Sequence, residues 1–445
     1  MNRHAALLAR AAAGRPVRVG LIGAGAFGAM YAAQARHTQG VQLAAVADLD
    51  AGRAAERLQA AGWEPERLAA RDLPDALAHG STRVTDDTGE LLDGEGLDVI
   101  VEATGNPVVG LRHALRAIDG GRHVVMVSVE ADVLAGAGVA ERARRAGVVY
   151  SLAYGDQPAL ICELVDWART AGFEVVAAGK GTKYLPAYHA VTPDSVWEHY
   201  GLSDEQVAAG GLNGQMFTSF IDGTKSSIEM AAVANATGLD VPRDGLGFPP
   251  AGAEELAQVL RPRTEGGTLD GSGMVEVVAS TRRDGEPTPR DLRWGVYVVF
   301  RAANDYVAAR FADYGLPTDE SGHYAALYRP NHLIGLELGI SVAAAALGGE
   351  PTGAPRERRG EVAAVAKRDL EVGETLDGEG GHMAWGKLLP AAGADGALPI
   401  GLAHGARLTV PVAAGDVVRL AGVEPHDRGE ALELRRALLE GIPVA

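Results

Sequence analysis

Between Phe220 and Asn235 the chain reads FIDGTKSSIEMAAVAN, which sets Asp222, Lys225 and Glu229 at spacings of three and four. On a helix those intervals bring side chains onto one face. A lysine flanked by carboxylates suits proton transfer, because burial lowers an ammonium pKa and neighbouring charges orient it. The same residues also suit a surface ion pair with Asp222 capping the helix, although Lys ahead of Glu at i,i+4 is the less stabilising order. A second stretch, GKGTKYLPAYH, places Lys180, Lys183 and Tyr184 among glycines, as an anion-binding loop would, or an exposed basic loop. Glu130 ends the apolar run HVVMVSVE. It could accept hydrogen bonds from substrate hydroxyls or sit as a charge at a helix start. Arg329 and His332 stand in YRPNHL. Arg329 is a candidate substrate contact, whereas His332 is expected to stay out of the chemistry.

Short apolar runs alternate with helical patterns at the start of the chain. VRVGLI, VQLAAVADLD, LDVIVEATG, HVVMVSV and VVYSLAY read as strands, with helices such as PVVGLRHALRAIDGG between them. That alternation predicts an α/β Rossmann domain over 15–153 with a parallel sheet. From 154 to 347 the texture is α+β. GMVEVVAS and RWGVYVVFR look like antiparallel strands on either side of a polar turn, and HLIGLELGISVAAAAL like one long helix packing back on the first domain. The Pro-, Gly- and Arg-rich stretch 348–360 reads as a linker, and 361–440 as a small β-rich module.

Gly23, Gly25 and Gly28 form G-x-G-x-x-G after the first strand, and Asp48 closes the second. In that context the pattern is a dinucleotide fingerprint. The first glycine permits the turn, the second lets backbone approach a pyrophosphate, and the third lets helix pack on strand. Ala26 and Phe27 then open a helix whose N-terminus favours phosphate. Asp48 suits ribose hydroxyls and repels a 2′-phosphate, which favours NAD over NADP, while Arg53 nearby could accept one. Thr104, Gly105 and Asn106 end the third run and should flank the nicotinamide.

A formal net charge of −17 opposes binding to nucleic acid or an anionic membrane. A single cysteine, Cys162, excludes an intrachain disulfide, fits a reducing cytoplasm and reads as core packing. No apolar run approaches a membrane span. The histidines show no metal motif, so no metal site is expected.

With these motifs in place, the chain resembles homoserine-dehydrogenase-type oxidoreductases with a C-terminal SAF domain. The resemblance rests on GLIGAGAFG, VEATGNPVVGLRHALRAIDGGRHVVMVS and YGDQPALICELVDWARTAGFEVVAAGKGT, and later on YRPNHLIGLELGISVAAAALGGEPTG, VAAVAKRDLEVGETLDGEGG and LPIGLAHGARLTVPVAAGDVV. It implies a Rossmann domain, a central catalytic and oligomerisation domain, a β-clip-like SAF module and a homo-oligomer, dimer or tetramer. Two departures stand out. Val129 and Glu130 occupy the place of the family's Asn-Lys pair, and Asp222 and Lys225 are spaced D-x-x-K rather than D-x-x-x-K. Homoserine is therefore not the expected substrate. The reading is NAD(P)-linked hydride transfer on a small hydroxy or oxo compound (a sugar acid, polyol derivative or amino-acid-like alcohol). Lys225 is the expected proton-transfer group, with Asp222, Lys183 and Glu130 as further catalytic candidates and Lys180, Glu229, Tyr184 and Arg329 as substrate contacts. A redox-neutral rearrangement on tightly held NAD(P), and a nicotinamide-responsive sensor, are the alternatives.

Overall fold

The computed structural model describes residues 2–426 and 430–440. Residues 427–429, within the stretch expected to form the last module, lie outside the described residues. Six short runs, each followed by a helix, pair into one sheet. They are β1 (Val17–Ile22), β2 (Val41–Ala47), β3 (Arg83–Thr85), β4 (Val99–Glu102), β5 (His123–Met126) and β6 (Tyr150–Leu152), in the order β3-β2-β1-β4-β5-β6. Every neighbouring pair is parallel. Helices cover both faces, so strands such as VIVE are buried at every residue. The order reverses between β1 and β4, which opens a crevice at the carboxyl ends of the strands.

The helix Val129–Ala146 follows β5 and buries Asp132, 1% exposed. Tyr150 donates its hydroxyl to Asp132 Oδ1 at 3.0 Å, and Oδ2 has no partner. Burial pushes this carboxyl up to about 7. The folded group therefore holds its proton where the unfolded one has released it, and a stability penalty accumulates from the ordinary carboxylate range up to about pH 7. Asp132→Asn is expected to raise stability by on the order of 3 kcal/mol at about pH 8 and by much less at about pH 5. Urea unfolding of both proteins at the two pH values measures the difference.

A second sheet holds β7 (Glu174–Thr182), β8 (Met274–Ala279), β9 (Val296–Arg301) and β10 (Tyr324–Arg329) in the order β10-β9-β7-β8. The strands flanking the polar turn, β8 and β9, run antiparallel but are not neighbours. β7, buried along all but its first residue, takes the place between them.

Two expectations fail on glycines. Asp222 does not share a helix with Lys225: it caps the helix Gly214–Ile221, Gly223 turns the chain at φ 96°, and a new helix runs Thr224–Thr237. Nor is His332–Leu347 one helix. Gly335 sits at φ 75°, and helix begins only at Gly339, running Gly339–Ala343 into a wider turn Ala344–Gly348. A Cβ on Gly335 would stand 2.8 Å from Met30 Cβ, so the bend brings this segment against the helix Ala26–Ala35. Leu338, Val342 and Ala343 then join the apolar cluster of β1.

The stretch read as a linker is a strap lying along β6. Leu152 N donates to Gly353 O at 2.7 Å, Thr352 N donates to Ser151 Oγ at 3.0 Å, and Thr352 Oγ1 donates to Leu152 O at 2.8 Å. Beyond it, β11 (Gly360–Ala366) pairs antiparallel with β12 (Ala384–Pro390), and short β13 (Arg407–Leu408) pairs with β14 (Val423–Glu424). This module packs on the helix Thr224–Thr237. Gly386 admits Thr224, and Gly360 admits Ala231, where side chains would collide. The helix ends up buried at twelve of its fourteen residues. The last helix, Glu430–Glu440, returns to Val129–Ala146, where Arg435 donates to Leu134 O at 3.0 Å and pairs with Glu361.

Candidate active site

The carboxyl edge of the parallel sheet presents four loops side by side. After β1 comes the glycine loop. Gly23 adopts φ 97°, and a Cβ there would stand 2.5 Å from Ala103 O. A Cβ on Gly28 would stand 2.1 Å from Gly23 O, so helix and strand approach only because it is glycine. A Cβ on Gly25 would meet nothing within 4 Å, and no side chain caps the helix Ala26–Ala35. The loop thus offers uncapped N–H groups to open space, a cradle that fits a pyrophosphate. Asp48 closes the loop from β2, its Oδ2 accepting from Ala24 N at 2.7 Å and its Oδ1 from Asp50 N at 3.2 Å. Arg53 is exposed.

After β4, Thr104 donates to the buried Glu102 at 2.7 Å, Gly105 adopts φ 74°, and Asn106 caps the helix Pro107–Asp119. These residues line a cavity of about 480 Å³ whose far wall is the C-terminal module, including Leu398, Leu402 and His404. A larger cavity of about 710 Å³ lies behind the sheet beside Cys162 and the strap, away from the glycine loop. After β5 comes Glu130, in the first turn of Val129–Ala146 rather than at a strand end, and after β6 comes Asp156, capping the helix Gln157–Thr170.

The second sheet and the module bring charge to meet this edge. Lys225 pairs with Glu130 at 2.5 Å. Lys180, on β7, pairs with Glu229 one turn along the same helix. Lys367, from the module, lies 2.9 Å from Asp222 Oδ2 and donates to Val191 O at 2.7 Å and Gly381 O at 2.8 Å. Its hydrogens go to the carbonyls, which leaves Asp222 Oδ2 charge-compensated but without an aligned hydrogen bond.

Lys225 feels four carboxyls: Glu130, Glu229, Glu379 and Asp156. Burial alone would lower its pKa, but their field outweighs burial and holds it far above the ordinary lysine range. Burial likewise pushes Glu130 up, and Lys225 more than reverses that, so its carboxylate lies below its usual range. That field favours the charged form of Lys225. Two carboxyls remain without a lysine. Burial and then Glu229 push Asp156 up to about 6, with Lys225 opposing. Burial and then Glu130 push Glu379 up to about 8, again with Lys225 opposing.

Beside this cluster, Tyr184 stacks on Phe248 at 3.9 Å and His189 on Trp385 at 3.8 Å between ring centroids. His189 Nδ1 faces Asp222 O at 2.6 Å, so it carries the hydrogen, and Nε2 accepts from the Tyr184 hydroxyl at 2.8 Å. Burial lowers His189, which keeps this wall neutral. Lys183 donates to His199 O and lies over the Tyr200 ring, as does Arg293. Neither cation has a carboxylate partner among the described residues. Arg329 is engaged by Glu337, which packs against Gly155 beside Asp156. Among the described residues no group of three or more His, Cys, Asp and Glu side chains is arranged to hold a metal ion.

The structure thus gathers Lys225, Glu130, Lys180, Glu229 and Asp222, sets Lys183 and Tyr184 at the margin, and ties Arg329 to Glu337 beside Gly155. Sequence reasoning missed Asp156, Lys367 and Glu379. For Glu379 a signal existed: an acid set between glycines in DGEGG, a backbone able to turn sharply around one carboxyl.

The model of the oxidoreductase DRL catalytic domain matches residues 155–338, a span that holds Asp156, Lys180, Lys225 and Glu229 but not Glu130 or Glu379. No curated protein matches the chain. Solved structures that resemble it include biliverdin reductase from Synechocystis sp. PCC 6803, determined with biliverdin and NADP+, at 20% identity and TM-score 0.27. That match covers 38% of this chain and 48% of that one, so the chain spans about half its length. An inositol dehydrogenase homolog from Azotobacter vinelandii, complexed with NADH and myo-inositol, is similar at 20% identity and TM-score 0.29, over 39% of this chain and 44% of that one. The myo-inositol 2-dehydrogenase from Lactobacillus plantarum is similar at 14% identity and TM-score 0.34, over 76% of this chain and 91% of that one. Residues 155–338 carry an oxidoreductase catalytic domain, set on a Rossmann-type sheet.

Proposed function

We propose that this chain transfers hydride between NAD(P) and the carbon of a small, acidic, hydroxylated substrate. The observation that carries the reading is the meeting of an uncapped glycine cradle with a part-buried lysine paired to Glu130 at the same sheet edge. Gly23, Gly25, Ala26, Phe27 and Gly28 would hold the pyrophosphate, Asp48 the ribose, and Thr104, Gly105 and Asn106 the nicotinamide side. When bound, the nicotinamide accepts or supplies the hydride. Lys225 stabilises the negative oxygen that develops as hydride moves, a task for a positioned cation. Glu130 fixes its place, with Lys180 and Glu229 paired one turn along. Lys183 and Arg293, without carboxylates of their own, suit an acidic group on the substrate, which makes a sugar acid or another anionic polyol derivative the first class to try.

The test is a spectroscopic assay of nicotinamide reduction or oxidation with a panel of aldonic acids, inositols, sugar phosphates and hydroxyamino acids. Turnover of an acidic polyol that falls with Lys183→Ala supports the reading, and no redox change across the panel with either cofactor sinks it. Asp48 sets the preference. Asp48→Ser is expected to improve NADP binding relative to NAD by roughly tenfold, through removal of one repulsive charge from the 2′ position. Titration calorimetry with the two cofactors measures that ratio.

A further inference from the structure

The charges around Lys225 do not balance in pairs. Lys225 takes Glu130 and Lys180 takes Glu229, while Asp156 and Glu379 face the same lysine with no cation left for either. A buried carboxyl without a countercharge keeps its proton. The two surplus groups are held differently. Asp156 is spent locally, 5% exposed, with Oδ1 accepting from Gln157 N at 2.8 Å as the helix cap. Glu379 is half-buried on a loop of the C-terminal module.

That loop is built for a single position. Gly378 and Gly380 on either side adopt φ 87° and 65°. A Cβ on Gly380 would stand 2.0 Å from Gln215 O, and one on Gly378 would stand 2.9 Å from His404 Cβ. Asp377 organises the turn from inside, accepting from His382 N at 2.5 Å and Met383 N at 3.2 Å. Its own carbonyl accepts from Gln215 Nε2 at 3.2 Å. The result seats the loop on the helix Gly214–Ile221, where Gly380 faces Gln215 O and Ser219 N. Lys367 ties Gly381 O to Asp222, so Glu379 stands in the field of Glu130, Lys225 and Asp222. The charged groups that act on it are Glu130, Lys225 and Asp222. On the module side, Lys367 donates to Gly381 O, His404 lies against Gly378, and Asp377 holds His382 N.

We infer that Glu379, carried into the site by the C-terminal module, holds the exchangeable proton of that site and passes it to and from the substrate oxygen that Lys225 faces. The inference rests on the hydride-transfer reading and gives it its missing acid–base group. In the reduction direction the carbonyl carbon gains the hydride pair from a reduced nicotinamide. The C=O π pair becomes an oxygen lone pair, and that oxygen takes the Glu379 proton. The carboxylate left behind is reprotonated from solvent. Oxidation runs the same steps backwards, with the Glu379 carboxylate taking the hydroxyl proton. The burial and charge that raise Glu379 to about 8 put both forms within reach near neutral pH.

The test begins without cofactor or substrate. The full chain is labelled with carboxyl-13C glutamate and titrated by NMR between about pH 5 and about pH 10. Two glutamates should titrate late: Glu276, buried on β8 of the second sheet and raised to about 7, and Glu379 at about 8. Glu276→Gln assigns the first. Glu379→Gln should remove the second, and Glu130→Gln should move it down by freeing Lys225 to act on it. A later resonance that survives in Glu379→Gln, or that ignores Glu130→Gln, overturns the inference. The kinetic arm uses whichever acidic polyol of the panel is turned over. Glu379→Gln should lose on the order of 100-fold in kcat with KM nearly unchanged and lose the limb of the pH profile near 8, while Asp156→Asn keeps that limb. A pH limb that persists in Glu379→Gln also overturns it. Failure of every panel compound would count against the hydride-transfer reading alone, since the NMR titration needs no turnover.

Discussion

Lys367→Met should strip protection from the C-terminal module and cost about 3–5 kcal/mol, the range for removing one partner of a buried ion pair. The Lys367 side chain is 2% exposed and Asp222 0%, so neither charge has water to fall back on. The methionine leaves Asp222 with one oxygen bonded to Thr224 N at 2.9 Å and the other facing a site already rich in carboxyls. It also removes the donor that ties Val191 O to Gly381 O across the domain boundary. Hydrogen exchange read by mass spectrometry should show amides of β11 and β12 opening faster by two to three orders of magnitude. Adding Asp222→Asn, which keeps the bond to Thr224 N but drops the charge, should restore part of that protection. If Lys367→Met leaves exchange over 360–390 as it was, the pair does not clamp the module.

Lys225→Met is expected to lower the rate of hydride transfer by about 10²–10³-fold, the usual cost of losing one charge aimed at a developing oxyanion. Cofactor affinity should stay within about twofold, because Lys225 pairs with Glu130 and the glycine cradle is untouched. The pH profile discriminates between roles. A lysine held far above its ordinary range does not supply a limb near neutrality, so any limb seen belongs to another group. Single-turnover measurements of nicotinamide absorbance, with the panel compound that proves active, give both rate and pH dependence. Full turnover by Lys225→Met would remove this residue from the chemistry.

Much of this architecture is legible in residue order alone. The strand-helix alternation and the glycine loop are local signals, because each element reports its own period and each glycine its own turn. Asp222, Lys225 and Glu229 were equally visible as chemistry-bearing residues, but their partners were not. A helical spacing of three and four puts side chains on one face only if the helix is continuous, and Gly223 ends that continuity with a φ of 96°. What then decides the site is long-range pairing: Lys225 with Glu130, 95 residues apart, and Lys180 with Glu229, 49 apart. No local pattern encodes which carboxylate meets which lysine. The apolar run at His332 misled for a related reason. Its composition is helical, yet Gly335 serves a close approach to Met30 that only the folded chain defines.

The strap and the module that follows it have a consequence for how the chain is made. The helix Thr224–Thr237 is apolar or small on nearly every side, and two of its faces are covered by β11 and β12, more than 120 residues downstream. On an emerging chain the first sheet can close as soon as β6 appears, since its six strands are then complete. The lysine-bearing helix has no such early shelter. It must wait, part-covered, for Gly360 and Gly386 to arrive. Truncations that stop short of β12 should therefore yield a folded front half and a sticky middle that chaperones hold. A ribosome stalled there would carry the parallel sheet with the Lys225 helix still uncovered, so that helix is enclosed only after β12 has been made.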